Sequence, residues 1–166
     1  MFENKIPVTW TKEQFQNLEF KSDIFKDPEQ TAKWSAAGID LTRLTIDLHQ
    51  LDTPLEWMFP ILAHFDFLSN IKCCVHRLLP GHYLPTHYDL YGFYRKQNDI
   101  NNINQMYRYI VFLEDGTDGH YLQVKDKVYF NWHAGECVGW NGSTLHSALN
   151  FGTTNRYTLQ LTGFKK

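Results

Sequence analysis

The chain has 166 residues, of which 43% are apolar, 16% are aromatic and 20% are charged, with a formal net charge of −2. This length predicts one domain with enough apolar surface to fold without disulfides. The charge balance argues against nucleic acid or an anionic membrane surface as a partner, because both favour an excess of lysine and arginine.

The sequence also argues against secretion and membrane insertion. Residues 1–5 lead into no apolar segment, so we expect no secretory signal. The most apolar helical candidate, Leu55–Leu68, is interrupted by charged residues and is too short to span a bilayer. The three cysteines form neither a disulfide framework nor a spaced zinc motif, so we expect buried thiols in a cytoplasmic protein.

The first 70 residues are predicted to be mostly helical. Thr11 can cap a first helix, with Gln14 at the capping-box position. Pro60 predicts a kink or an early end in the last and most apolar helix. Leu41–Leu48 alternates apolar and polar residues and predicts a short strand instead. The predicted helices are Lys12–Phe20, Asp27–Ala37 and Leu55–Ser69.

From residue 71 onward, short apolar and aromatic segments alternate with Gly, Asn and Asp. This spacing predicts an antiparallel sandwich or barrel rather than alternating strands and helices. The fold class is therefore α+β, mainly β, with N-terminal helices packed on the sheets. The polar stretch Gly92–Gln105 is predicted to be a long, mobile loop. The predicted strands are Ile71–Leu79, Tyr83–Asp89, Tyr107–Leu113, Tyr121–Val124, Lys127–Phe130, Glu136–Trp140, Leu145–Leu149 and Tyr157–Leu161.

The sequence His87-Tyr88-Asp89 is the central chemical motif. In an extended strand, residues two apart point to the same face, so the imidazole and the carboxylate can bind one ion. His146 can complete a triad of two histidines and one carboxylate, which leaves coordination positions open and favours non-heme iron(II). His82 is a rival ligand, but its odd spacing from His87 places it on the opposite face of a regular strand.

Two further residues predict a carboxylate-binding site. Arg156 lies ten residues beyond His146, far enough for the chain to turn and return on a neighbouring strand. Its guanidinium can hold a carboxylate through two parallel hydrogen bonds. Thr158 faces the same way and can donate to the same group.

These motifs make residues 79–163 resemble the double-stranded β-helix, a jelly roll, of iron(II)- and 2-oxoglutarate-dependent oxygenases. The combination of Arg108, Trp132, Gly135, His146, Asn150 and Arg156 is similar to the aspartyl/asparaginyl β-hydroxylase group, which includes free-proline hydroxylases. Members that hydroxylate aspartyl or asparaginyl residues can lack the metal-binding carboxylate. Retention of Asp89 therefore favours the proline-hydroxylase-like branch. The matching segments are Leu79-Pro80-Gly81, His87-x-Asp89, Tyr109–Asp115, Gly135-Glu136, His146–Asn150 and Arg156–Thr158.

The resemblance implies a reaction and its cofactors. Iron(II) is expected on His87, Asp89 and His146, and 2-oxoglutarate is expected on Arg156. 2-Oxoglutarate and O₂ would be consumed to hydroxylate a substrate, with release of succinate and CO₂ and with ascorbate as a candidate supporting reductant. Arg108 is expected to hold either the second carboxylate of 2-oxoglutarate or the carboxylate of an amino-acid substrate. Tyr109 competes for that role, because adjacent strand residues cannot both point inward.

Several residues have two readings. A substrate lid or a solvent-facing loop can account for Tyr91, Phe93, Tyr94 and Arg95. Trp140 is predicted to be simple core. The remaining histidines are expected to be structural or surface residues: His49, His64, His76, His82, His120 and His133.

The leading functional hypothesis is a hydroxylase of a small amino acid or a peptide residue. The alternatives are a protein prolyl or asparaginyl hydroxylase, a nucleobase oxygenase that the acidic charge balance disfavours, and a cupin-like metal-binding module without turnover. A plain metal-binding module has no need for Arg156 and Thr158. Fold alone cannot choose among substrates.

Overall fold

The computed structural model describes residues 2–24 and 27–165. The chain forms eleven strands and four short α-helices in these residues. The helices are α1 Lys12–Gln16, α2 Pro28–Ala36, α3 Phe59–Leu62 and α4 Gly92–Gln97. The strands are β1 Phe2–Lys5, β2 Lys21–Ile24, β3 Thr45–Leu51, β4 Leu68–Leu78, β5 Tyr83–His87, β6 Met106–Phe112, β7 His120–Val124, β8 Lys127–Tyr129, β9 Glu136–Asn141, β10 His146–Asn150 and β11 Arg156–Lys165.

The strands form two antiparallel sheets. A seven-stranded sheet has the order β1-β9-β6-β11-β4-β3-β2, and a four-stranded sheet has the order β5-β10-β7-β8. Every strand predicted after residue 70 is present, with its bounds shifted by a few residues. The mainly β, jelly-roll fold class is confirmed.

The prediction of a mostly helical segment over residues 1–70 is wrong. β1, β2 and β3 join the seven-stranded sheet, so this sheet does not begin at residue 71. The strand prediction near Leu41–Leu48 is confirmed by β3, and α1 and α2 lie within predicted helices. β1 and β2 are short edge strands with few apolar residues, and such strands are common in natural sheets because they discourage pairing with other chains.

The helix predicted over Leu55–Ser69 breaks into short pieces. One α-helical turn, α3, lies between two 3-10 turns, and Leu68 already belongs to β4. Pro60 occupies the first turn of α3, where the absence of a backbone N–H is tolerated. The apolar residues of this segment cover the sheet without a continuous helix.

The buried apolar residues form two layers that pack against the sheets. The first lies on the outer face of the seven-stranded sheet, where Phe15, Met58 and Phe65 from the N-terminal segments pack with Val75 and Leu159. The second lies between the two sheets. It contains Leu78, Ile110, Phe112, Leu122, Val124, Trp132, Val138, Trp140 and Ala148. The candidate site opens into this second layer.

Asn150 fixes the turn that connects β10 to β11. Its side chain is fully buried, and Nδ2 donates to the carbonyls of Leu78 at 2.7 Å and Thr154 at 2.9 Å. Oδ1 accepts from the Gly152 backbone N–H at 3.0 Å. We expect Asn150→Ala to lower the free energy of unfolding by about 2–4 kcal/mol, because it leaves buried backbone groups unsatisfied.

Urea denaturation measures this effect. Asn155→Ala is the matched control, because Asn155 makes one side-chain hydrogen bond, to the Tyr157 hydroxyl at 3.3 Å. The control should cost less than about 1 kcal/mol. Equal losses in the two variants would contradict the role given to Asn150.

None of the helices in the described part of the chain has the length and hydropathy that crossing a bilayer requires.

Candidate metal and carboxylate site

The two predicted metal histidines lie side by side in the four-stranded sheet. His87 ends β5 and pairs with His146, which begins β10, and their ring centroids are 4.4 Å apart. Nδ1 of His87 donates to the Pro85 carbonyl at 2.7 Å, and Nδ1 of His146 donates to the Thr144 carbonyl at 3.0 Å. These hydrogen bonds place the proton on Nδ1 of each ring, which makes Nε2 the atom that can bind a metal ion.

Asp89 completes the cluster from outside a regular strand. β5 ends at His87, so the strand alternation assumed from the sequence does not extend to Asp89. Its Oδ2 nevertheless lies 3.3 Å from Nε2 of His146, and its Oδ1 lies 4.0 Å from Nε2 of His87. One ligand atom from each of the three residues lies within 4.8 Å of the others, and no other such group of three occurs among the described residues.

This spacing fits a shared ion. Adjacent ligands that each lie about 2.1 Å from one ion are about 3 Å apart, so a small inward movement brings the three donors into range. Two imidazoles and one carboxylate occupy three positions and leave the others open for further ligands.

The protonation states favour metal binding at neutral pH. Burial lowers the pKa of His146 to about 4 and also lowers the pKa of His87, although Asp89 opposes both shifts. Burial opposes ionisation of Asp89, but Arg108 and the two imidazoles hold its pKa below the usual value. The cluster therefore presents neutral imidazoles and a carboxylate, the forms that bind metal ions.

Arg108 lies directly beside the cluster. Its Nη1 is 2.7 Å from Oδ2 of Asp89, and its guanidinium carbon lies 4.9 Å from the centroid of the Tyr91 ring. Tyr109, the competing residue, belongs to the apolar layer on the opposite face of the sheet. The structure thus places Arg108, and not Tyr109, at the site.

Arg156 and Thr158 line the same cavity as the three candidate ligands. The cavity has a volume of about 340 Å³ and lies between the two sheets. The Arg156 side chain is 4% exposed, and no carboxylate of the described residues lies within ion-pair distance. Burial lowers its pKa to about 10. A buried cation without an anionic partner is costly, so this environment fits a carboxylate ligand.

Unsatisfied donors concentrate around the cavity. Arg108, Trp140 and Arg156 each have a buried side-chain nitrogen without a hydrogen-bond partner in the described structure. Buried polar groups in native proteins are normally paired, and unpaired groups often mark a ligand site. A larger cavity of about 720 Å³, which Trp140 also lines, contains no cluster of metal-binding groups from the described residues.

His76 also lines the site, although the sequence predicted only a structural or surface histidine at this position. It lies on β4 opposite Thr158 and faces the cavity. Burial, together with the charges of Arg108 and Arg156, lowers its pKa to about 3, so it is neutral. Gln160 on β11 and Gln50 on β3 add uncharged polar groups. Only the pairing of β3, β4 and β11 brings these residues to one face.

The segment that was expected to form either a substrate lid or a solvent-facing loop is only partly at the site. Tyr91 lies against Arg108, but the Tyr94 hydroxyl donates to the Asn70 carbonyl, and neither of these residues lines the cavity. Arg95 donates to the carbonyls of Ile100 and Asn101. The side chain of Phe93 lies outside the described structure.

Three other predictions can be compared with the structure. Gly92–Gln105 is not a continuous loop, since it contains α4 and a 3-10 turn at Ile103–Gln105. Trp140 is buried core, as predicted, and its ring also lies 4.8 Å from that of His146. His82 contacts the Thr45 hydroxyl and does not join the cluster.

The buried histidines predict an acid-sensitive fold. Burial lowers the pKa values of His76, His87, His120 and His146 below 6.5. The unfolded chain therefore takes up protons below about pH 6.5 that the folded protein cannot. The contribution of these histidines to the free energy of unfolding is complete above that pH. It is lost as the pH falls, by up to about 1.4 kcal/mol per pH unit for each histidine.

Urea denaturation of metal-free protein between pH 7.5 and 5 measures this loss, above the range in which ordinary carboxylates titrate. His76→Gln should reduce the slope, because it removes one of these groups. A free energy of unfolding that is constant over this interval would contradict the burial of neutral histidines.

Comparisons with known proteins identify a family and a similar fold. A sequence model of the family described as Aspartyl/Asparaginyl beta-hydroxylase matches residues 14–165. The structure is similar to that of a Pseudomonas putida prolyl-4-hydroxylase, with a TM-score of 0.57, 16% identity, and coverage of 89% of this chain and 92% of that one. No curated protein matches the chain.

Weaker structural similarity extends to cupin-type proteins. A predicted oxalate decarboxylase from Thermotoga maritima gives a TM-score of 0.46 and 13% identity, covering 72% of this chain and 81% of that one. An RmlC-like cupin from Desulfovibrio desulfuricans gives a TM-score of 0.44 and 17% identity, covering 75% and 85% respectively.

Proposed function

We propose that this chain, which belongs to the Aspartyl/Asparaginyl beta-hydroxylase family, is an iron(II)- and 2-oxoglutarate-dependent dioxygenase. It hydroxylates an unactivated C–H bond of an amino acid or a peptide residue. The observation that carries the proposal is one cavity that contains both the cluster of His87, Asp89 and His146 and the unpaired cation of Arg156. A module that only binds a metal has no use for that cation.

The residues of the cavity fit both iron(II) and 2-oxoglutarate. His87, Asp89 and His146 would hold iron(II), and the orphaned N–H of Arg156 and its lack of an acidic partner fit a carboxylate of 2-oxoglutarate. When bound, iron and 2-oxoglutarate supply the oxidising chemistry, in which O₂ is consumed and succinate and CO₂ are released.

The chain's own residues orient the ligands and exclude water. Arg156 holds one carboxylate of the keto acid, with Thr158 and the neutral His76 beside it as uncharged hydrogen-bonding groups. Ile110 and Leu122 form apolar walls between the sheets. These residues leave little room around the metal cluster for anything except the bound ligands. The substrate is therefore held in one orientation toward the metal.

Arg108 is the candidate for recognition of the substrate. Its Nη1 pairs with Asp89 but its Nε–H has no partner in the described structure, and Arg156 lies in the same cavity without an anionic partner. The two guanidiniums can therefore serve two different carboxylates. This arrangement favours a small amino acid or the carboxylate of a peptide, and it does not favour a nucleic acid. Three buried, unpaired cysteines agree with a cytoplasmic location as part of the proposal.

Succinate release tests the proposal. Purified protein with iron(II), ascorbate and 2-oxoglutarate should release succinate, and a panel of free amino acids and short peptides should contain a compound that stimulates it. His87→Ala should fall to background, whereas His133→Ala, which changes an exposed histidine outside the cavity, should not. Equal succinate release from wild type and His87→Ala would show that the proposal is wrong. Metal binding without succinate release for any compound would support the cupin-like alternative.

A further inference from the structure

Aromatic rings take the place of an acidic partner beside Arg156. Its guanidinium carbon lies 5.3 Å from the centroid of the Trp132 ring. Trp132 stacks on Phe112, with centroids 4.0 Å apart and an interplanar angle of 9°. The ring of His120 lies nearly parallel to Trp132, at 6.2 Å and 21°. The cation therefore lies beside the ring on which Phe112 and His120 both pack.

The indole ring is held tightly in this stack. Trp132 is 4% exposed, and its Nε1 donates to the Glu114 carbonyl at 3.2 Å. A Cβ atom added at Gly116 would lie 3.0 Å from the indole, so the backbone of that turn packs directly on the ring. The position of Trp132 is thus set by both neighbours and backbone.

An aromatic face and a carboxylate stabilise a guanidinium in different ways. A carboxylate accepts two of the N–H bonds and neutralises the charge. An aromatic face attracts the cation through its quadrupole and accepts none of the in-plane N–H bonds. The Nε–H of Arg156 has no partner in the described structure, as this second arrangement requires.

We propose that Trp132 is a positioning residue for the cosubstrate. It holds the Arg156 guanidinium in place of an acidic side chain, so the N–H bonds stay free for the distal carboxylate of 2-oxoglutarate. A protein carboxylate at the same place would compete with the ligand for the same donors. This inference rests on the proposed function and adds a residue that touches neither the metal cluster nor the keto acid.

Calorimetry on Mn(II)-loaded protein tests the inference without turnover. The two probes are 2-oxoglutarate and pyruvate, a keto acid that lacks the distal carboxylate. Trp132→Leu should weaken binding of 2-oxoglutarate by about ten- to thirtyfold and that of pyruvate by less than about threefold. Trp132→Phe, which keeps a ring, should lie between wild type and Trp132→Leu. In an Arg156→Leu background, Trp132→Leu should have no further effect, because the two residues act as a unit.

Trp10→Leu is the matched control. Trp10 is also buried, and its Nε1 donates to the Leu113 carbonyl at 2.8 Å, but it belongs to the other apolar layer. Trp10→Leu should leave the affinities for both keto acids unchanged.

Two results would overturn the inference. One is equal weakening of the binding of both keto acids by Trp132→Leu, and the other is a weakening that persists in the Arg156→Leu background. If Trp132→Leu does not fold, Trp132→Phe in both backgrounds gives the same comparison, and an unchanged affinity for 2-oxoglutarate would overturn it. If wild-type protein bound 2-oxoglutarate no more tightly than pyruvate, the proposed function would be wrong as well.

Discussion

Replacement of His146 by alanine is expected to abolish specific metal binding while the protein remains folded. The two remaining ligands, His87 and Asp89, would leave most of the coordination shell of a six-coordinate ion to water. Loss of a residue that only orients a metal ligand costs about 10- to 100-fold in affinity, so loss of a ligand should cost more than about 100-fold. Titration with Mn(II), followed calorimetrically, measures the change.

His82→Ala is the control for this variant. His82 is the rival ligand suggested by the sequence, and it lies outside the cluster against Thr45. It should bind Mn(II) as wild type does. Loss of metal binding in His82→Ala, or its retention in His146→Ala, would show that the proposed set of metal ligands is wrong.

Arg156→Leu is expected to separate binding of the keto acid from metal binding and from stability. Two charge-assisted hydrogen bonds contribute about 3 kcal/mol or more together, so the dissociation constant of 2-oxoglutarate should rise by more than about 100-fold. Mn(II) affinity should change little. The free energy of unfolding without ligand should stay the same or rise, because leucine removes a buried cation that has no acidic partner.

Arg77→Leu provides the opposite pattern. Arg77 forms an ion pair with Asp47 on the outer face of the seven-stranded sheet, with Nη2 2.7 Å from Oδ2. Its loss should lower stability, since Asp47 is buried, and should leave binding of 2-oxoglutarate unchanged. If Arg156→Leu instead lost stability and metal together, Arg156 would have a structural role.

The β-region could be predicted because its signals are local. Alternating apolar residues and paired turn residues mark each strand after residue 70, and the eight strands are all present. The two histidines and Asp89 could also be found, because their chemistry restricts the residue types. Strand alternation does not explain the position of Asp89, since β5 ends at His87 and the carboxylate reaches the cluster from the segment that follows.

The rest depends on contacts between distant segments. β1 and β2 carry too few apolar residues to predict strands, and they are ordered by pairing with β9 and β3. His76 reaches the cavity because β4 pairs with β11, and Trp132 reaches Arg156 from the segment between β8 and β9. The sequence alone contains no register between strands, so it could place neither His76 in the cavity nor Trp132 beside Arg156.

The most direct measurement is a crystal structure of protein grown with Mn(II) and 2-oxoglutarate without turnover, with an anomalous difference map for the metal. We predict one strong metal peak in contact with Nε2 of both His87 and His146 and with the Asp89 carboxylate. The keto acid should chelate that ion and place its distal carboxylate on Arg156. A metal bound elsewhere, or a keto acid that lies away from Arg156, would contradict the site.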